Sequence, residues 1–206
     1  MVKRRSPTTT RRTQAERSEA TRAALMASGR KLFGHYGYGR TAREEIVADA
    51  GVTRGALQHH FGDKQGLFRA VYEELEQQVV TSTAQAAMHA GHEHPLEMLR
   101  AGCHAYLDAM LDPAVQRICA VDGPAVLPAD VRGEIADRYA LALIRDVVHS
   151  AMSKAQIKRA PLEPLTHMLL AGVMAAAQYV ATAEDPKRAR IEAGKTVDML
   201  LSSLTP

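Results

Sequence analysis

Residues 51–64 read GVTRGALQHHFGDK. Gly51 opens a turn, Thr53 precedes barely two turns of possible helix, and Gly62-Asp63 stops the chain again. A threonine before a helix caps it, its hydroxyl oxygen accepting an orphan backbone N–H. Thr53 therefore predicts a third helix over 54–60. Gly62 and Asp63 end it and cap a long fourth helix, from Lys64 to about Met88. Upstream, Thr41 and Glu44 have the spacing of a capping box, so the second helix is expected to start near Thr41. Ile46, Val47 and Ala50 give that helix an apolar face, and Gly51 suits the left-handed position that ends it.

Two helices joined by a short turn containing glycine form a helix-turn-helix, whose second helix is short enough to sit in a DNA major groove about 12 Å wide. At 100° per residue, Leu57 and Phe61 point into the core. His59 and Gly55 point away from it, with Gln58 and Ala56 on the flanks and Arg54 on the first turn. Arginine bonds guanine bidentately and glutamine adenine, each worth about 1–3 kcal/mol of discrimination. Gly55 and Ala56 leave room for close approach.

The charge agrees with a polyanion partner at one end. Residues 1–40 hold ten of the 26 Lys/Arg but only two acids, Glu16 and Glu19, whereas the other 21 acids lie in the rest of the chain. The net charge of +3 hides this basic head on an acidic body. Residues 1–17 read as a basic flexible arm, with Arg4, Arg5, Arg11 and Arg12 available for phosphate or minor-groove contacts.

The 206 residues are 46% hydrophobic and 24% charged, a globular profile. Apolar residues recur at helical spacing almost throughout, and alternating β-branched runs are absent, so the fold class is all-α, with about nine helices. The first helix spans about Glu16 to His35. After a loop at 89–95, further helices are expected over Leu96–Leu111, near Ala114–Val121, over Asp130–Lys154, over Pro164–Ala183 and over Pro186–Leu204. The domains read as arm 1–17, DNA-binding domain with connecting helix 18–78, and a helical domain 79–206. The longest apolar run, MLLAGVMAAA at 168–177, is shorter than the roughly 20 residues of a membrane span, so it reads as a helix covered on most sides. The arginine-rich start has no apolar segment and is no signal peptide. Two cysteines without CxxC spacing suit a reducing cytosol. The expected location is cytoplasmic, with no membrane partner.

Residues 25–68 resemble the DNA-binding region of the tetracycline-repressor-like (TetR) family of bacterial transcription regulators. The resemblance is carried by Leu32-Phe33, Gly37-Tyr38, Thr41, Ile46, Ala50-Gly51-Val52-Thr53, Gly55, Leu57, His60-Phe61, Lys64 and Leu67-Phe68. It covers about a fifth of the chain; DGPAVL at 122–127 resembles one subgroup's C-terminal domain. The resemblance implies a homodimer, a near-palindromic double-stranded operator, and an unidentified small-molecule effector that releases DNA, and it makes 79–206 the ligand-binding and dimerisation domain. By position, Arg54 and Gly55 are the implied base contacts, and Thr53, Gln58, His60 and Lys64 the implied phosphate or sugar contacts. The sequence departs from the family in having Gln58 for the usual tyrosine, Ala42 for the usual capping Thr or Ser, and Arg43 for a buried aliphatic. Arg43 either snorkels outward or contacts DNA, and His59 faces outward beside these residues.

Competing chemistry is thinner. No GxSxG or Cys–His signature is present, so no enzyme, catalytic residue or cofactor is expected. His59 and His60 diverge by 100° and cannot chelate together. His89, His92 and His94 form the alternative, a metal-responsive regulator or metal-binding bundle, extendable by Cys103-His104 and Cys119; the favoured reading of the three is an exposed polar loop before Pro95. Cys103, Tyr106, Met110, Ile118, Met168, Met174, Gln178 and Tyr179 are candidates for a ligand cavity or for plain core. The last two helices are candidates for a dimer interface: Ala171, Gly172, Ala175 and Ala176 allow close approach, while Ile191, Gly194, Val197, Leu201 and Leu204 share a face.

Overall fold

Thr13 starts the first helix of the computed structural model, which describes residues 13–91 and 93–206. Its hydroxyl accepts from Glu16 N (3.2 Å) and Glu16 Oε2 accepts from Thr13 N (2.6 Å), a reciprocal cap. Among the described residues nine helices form and no strand. They are α1 Gln14–Tyr36, α2 Arg43–Asp49, α3 Arg54–Phe61, α4 Lys64–His89, α5 Pro95–Ala109, α6 (113–126), α7 (129–153), α8 Leu162–Thr182 and α9 Pro186–Ser203. The arm's last residues, 14–17, are thus helical. Arg4, Arg5, Arg11, Arg12 and His92 lie outside the described residues.

The stop-start reading of 51–64 holds, but the cap upstream moves. Thr53 Oγ1 accepts from Ala56 N at 3.2 Å and Asp63 Oδ1 from Gly66 N at 2.8 Å. Gly51 has φ +64, and Val52 N–H reaches back to Val47 O, the Schellman closure of a helix. The Thr41–Glu44 box does not form. Thr41 is buried, and its hydroxyl donates to Gly37 O and Leu32 O (2.8 and 3.3 Å). Ala42 is the N-cap, with only the return half of a box: Glu45 Oε2 accepts from Ala42 N at 2.8 Å. Thr41's hydroxyl finds partners in the core, so the cap position falls to a residue with no side-chain acceptor.

A head of α1–α3 closes around Leu25, Phe33, Ile46, Leu57, Leu67 and Phe68, all buried. Phe68 meets Phe33 and Tyr38 edge-on, at centroid distances of 5.2 and 5.1 Å. Ser28 Oγ donates to Ile46 O across the α1–α2 contact. The fourth helix enters this head and continues unbroken into the body, packing along α5. One apolar core therefore runs from Leu25 to Leu201, and residue 78, the expected domain boundary, lies within a single rod.

Helix α6 is longer than the expected 114–121 and is interrupted by a π-helical stretch, Gln116–Asp122. Gly123 N–H bonds Ile118 O, five residues back, and Pro124 has no N–H to offer. A second π stretch, Asp137–Leu141, widens α7.

The C-terminal pair departs most from expectation. Helix α8 is long and apolar enough to cross a membrane by length and composition, yet only 28% of its most apolar window is buried. It is not covered on most sides: it packs inward on α9, α7 and α6, while its other face is open. On α9, Val197 and Leu201 are buried, but Ile191 is 59% exposed and leaves the expected stripe. The space over Gly194 is taken within the chain. A methyl there would meet the His104 ring at 3.0 Å and the Arg190 guanidinium at 2.6 Å. His104 is held by Asp198 Oδ1 (2.9 Å), which also accepts from Arg100 (2.6 Å).

Candidate nucleic-acid interface and interior cavity

The outward face of α3 carries Arg54, Gly55, Gln58 and His59, all exposed, whereas Leu57 is buried. Thr53 is exposed and occupied as the cap; Arg43, exposed on α2, borders the same shallow cleft as Arg54, Gly55 and Gln58. Arg43 therefore points outward. Arg54 is not idle: its Nη2 lies 3.0 Å from Glu44 Oε1, with both side chains more than half exposed. Such a pair is worth little in water, so it aims the guanidinium without holding it back from a stronger acceptor. Gly55 needs no glycine for the fold's sake, since the nearest atom to a methyl there is Thr53 Oγ1 at 3.8 Å. His59 and His60, expected to diverge, have rings in edge contact at 5.1 Å.

The frame behind α3 uses Lys64, which the family resemblance assigns to a phosphate or sugar. Lys64 donates its ammonium to Tyr38 O (3.0 Å) and Thr41 O (2.9 Å) and lies over the Tyr38 ring. Two of its three donors thus tie α4 to the loop before α2, which makes it a positioning residue. The start of α4 has its own anion, the Asp63 cap. Gly66 lets α3 end this close, because a methyl there would overlap the Phe61 carbonyl oxygen. Phe61 is covered from outside by the Arg22 guanidinium, 5.2 Å from its ring.

The same loop is gripped from the body. Asp122, buried at the end of the π stretch, accepts from Tyr38 N–H at 2.7 Å and from Arg117 Nε at 3.3 Å. Gly37 has φ +81, and a side chain there would collide with the Arg117 guanidinium. Helix α6 therefore clasps the α1–α2 loop by a charge-assisted bond, while Gly34 of α1 sits against Ala114.

The other wall of α6 faces the interior. A cavity of about 190 Å³ lies among α4, α5, α7 and α8, lined by Thr83, Met98, Cys103, Tyr106, Leu143 and Val147 among others. Tyr106 also borders a smaller one of about 50 Å³, with Tyr72, Glu76, Met110, Cys119, Arg132, Met174 and Gln178. Cys103 and Tyr106 thus line the larger hollow, and Tyr106, Met110, Met174 and Gln178 the smaller, with Gln178 at its exposed edge. Ile118 is fully buried core. Met168 and Tyr179 are not interior: they are 72% and 52% exposed and line an outer groove of about 430 Å³ between α8 and α9. Burial pushes the Cys103 thiol up to about 11, and raises the Cys119 thiol and the Tyr72 and Tyr106 phenols as well. These thiols are poor thiolates, unsuited to nucleophilic work.

Glu76 and Asp122 escaped the reading of the sequence. Glu76 shares the buried stripe of Tyr72, Leu75 and Val79, so a lone acid on an apolar face was its available signal. Asp122 had none beyond the resemblance of 122–127. Among the described residues, which exclude His92, no three His, Cys, Asp or Glu side chains converge as metal ligands. His89 Nδ1 bonds Gln85 O, and His94 stands before α5.

Comparison with known proteins agrees with this geometry. Residues 25–71 match the profile of "Bacterial regulatory proteins, tetR family", and residues 96–204 that of "Tetracyclin repressor-like, C-terminal domain". The HTH-type transcriptional repressor BepR of Brucella suis biovar 1 is 32% identical over 108 residues, 52% of this chain and 51% of BepR. The HTH-type transcriptional regulator CymR of Pseudomonas putida is 39% identical over 69 residues, 34% of each chain. The chain thus spans about half the length of the first of these relatives and a third of the second. Among solved structures, the TetR-family regulator ECA1819 of Pectobacterium atrosepticum superposes with TM-score 0.81 and 30% identity, over 94% of this chain and 98% of that one. The efflux-pump repressor SmeT of Stenotrophomonas maltophilia shares the fold, at TM-score 0.69 and 21% identity over 92% of each chain.

Proposed function

The chain belongs to the TetR family of bacterial transcription regulators, and from that premise we propose that it is a dimeric cytoplasmic repressor whose α3 reads operator DNA and whose interior cavity receives a small effector. The observation that carries this reading is α3 itself, a helix of eight residues stopped at both ends. Its buried side is anchored by Leu57 and Phe61, and its open side bears Arg54, Gly55 and Gln58. Arg54 and Gln58 are the readers of base edges; Thr53, His59 and His60, with Arg43 on α2, lie at the height of the backbone. Lys64 has one donor left for a phosphate. The arm arginines add sequence-independent affinity.

Release of DNA follows from the fold's connectivity. Cys119 and Pro124 of α6 border the smaller hollow, beside Tyr106, and Asp122 of the same helix holds the α1–α2 loop. An effector that prefers a shifted α6 pulls on the loop that frames α2 and α3, so the dimer's two α3 helices lose their match to the groove.

The test is selection of random duplex DNA by the purified protein. The expected product is a near-palindrome whose half-sites lie about 34–36 Å apart. No enrichment at all, or a site without two-fold symmetry, overturns the reading.

A further inference from the structure

We propose that the interior holds a compact hydrophobic amine, its apolar part in the cavity among α4, α5 and α7 and its protonated nitrogen against Glu76. This rests on the cavity being the effector site. The two hollows share Tyr106 as a common wall, and they differ in chemistry. The larger is walled almost wholly by aliphatic groups, Cys103 and Tyr106. The smaller offers Tyr72, Glu76, Cys119, Arg132 and Gln178. A ligand spanning both needs an apolar body and one polar end.

Glu76 selects the charge of that end. It lines the smaller hollow beside Tyr72 and Cys119, and no cation pairs with it within 4 Å among the described residues. Arg132, on the same wall, donates its Nε to Leu127 O instead. A carboxylate has about four acceptor positions, which leaves room for a donor brought by a ligand. Half-buried and without a cationic partner, Glu76 is shifted toward the neutral acid, its pKa raised by burial. A protonated amine supplies the missing countercharge, whereas a carboxylate ligand would meet repulsion. The faces of Tyr72 and Tyr106 also favour a cation. A second unmet group stands at the apolar end: Thr83, which lines the larger cavity, has the only buried side-chain oxygen without a partner among the described residues. Such a hydroxyl costs stability until something bonds it.

The experiment is calorimetric titration of the full chain at pH 7 with three matched probes: phenylpropylamine, phenylpropanol and phenylpropionate. The amine is expected to bind about tenfold more tightly than the alcohol, the worth of one charge-assisted hydrogen bond, and the carboxylate most weakly. Glu76→Gln, which keeps shape and removes charge, should bring the amine down to the alcohol and leave the alcohol unchanged. Gly102→Val, which puts methyls beside Thr83 and Ala87 in the larger cavity, should weaken all three. The proposal is overturned if no probe binds, if the alcohol or carboxylate matches the amine, if Glu76→Gln keeps the preference, or if Gly102→Val leaves binding intact. DNA selection does not use these probes, so failure here and failure of the repressor reading are seen separately.

Discussion

Gly55 shows how a single residue betrays a partner outside the chain. Glycine within a helix is less stable than alanine by about 1 kcal/mol, and here a methyl would meet nothing of the protein closer than 3.8 Å. The fold would gain from the substitution, so the vacant volume serves something that approaches α3. Gly55→Ala is expected to raise the melting temperature and lower operator affinity. Thermal melts and DNA titrations measure both, and unchanged affinity would remove Gly55 from the interface. Glu76 has the same signature inside the body. Its raised pKa means the native state favours the neutral acid, so its contribution to stability declines as pH rises through the native pKa. Both residues were open to inspection in the sequence, but only Gly55 was recognised. A glycine on the outer face of a predicted helix stands out, whereas an acid within an apolar stripe is commonly a solvated edge.

At the scale of elements, the informative contact is between α6 and the α1–α2 loop. Asp122 accepts from Tyr38 N–H and Arg117 in a buried setting, and leaving those donors without an acceptor costs about 1–3 kcal/mol. Asp122→Ala is expected to lower stability by that amount, read from urea melts, and to weaken operator binding as well. Asp122→Asn keeps one carbonyl oxygen for Tyr38 and should retain most of both. Loss of stability with operator affinity intact would make the clasp a mere staple. The π stretch explains why periodicity could not reveal this. Reading at 100° per residue assumes an unbroken α-helix, and a stretch with wider turns rotates everything beyond it. Thr41 failed for a related reason: its spacing to Glu44 is local, but its hydroxyl bonds carbonyls of α1 and the following loop, reachable only once the head has closed.

For the whole molecule, the open faces of α8 and α9 are the largest departure from a self-sufficient fold. Met168, Tyr179, Ile191, Met199 and Leu200 are all more than half exposed, and three of them line one groove. Contiguous apolar surface of this kind marks an association site, and the pairing expected is two-fold, α8 and α9 against the same helices of a second copy. Met168→Glu with Leu200→Glu is expected to yield a folded monomer in analytical ultracentrifugation, with operator affinity sharply reduced because two half-sites are no longer bound together. A dimer that survives both changes would place the interface elsewhere. The sequence by itself determined the all-α class, the helix-turn-helix, the stops at Gly51 and Gly62-Asp63, and the outward set on α3. Caps, turns and one helical face are short-range properties that local chemistry specifies. Only the tertiary structure decided that Lys64 braces the loop before α2, that His104 fills the notch at Gly194, that Met168 and Tyr179 face out, and that Glu76 borders the smaller hollow without an ion pair. Each depends on which helix lies opposite, and that is settled when distant apolar stripes bury one another.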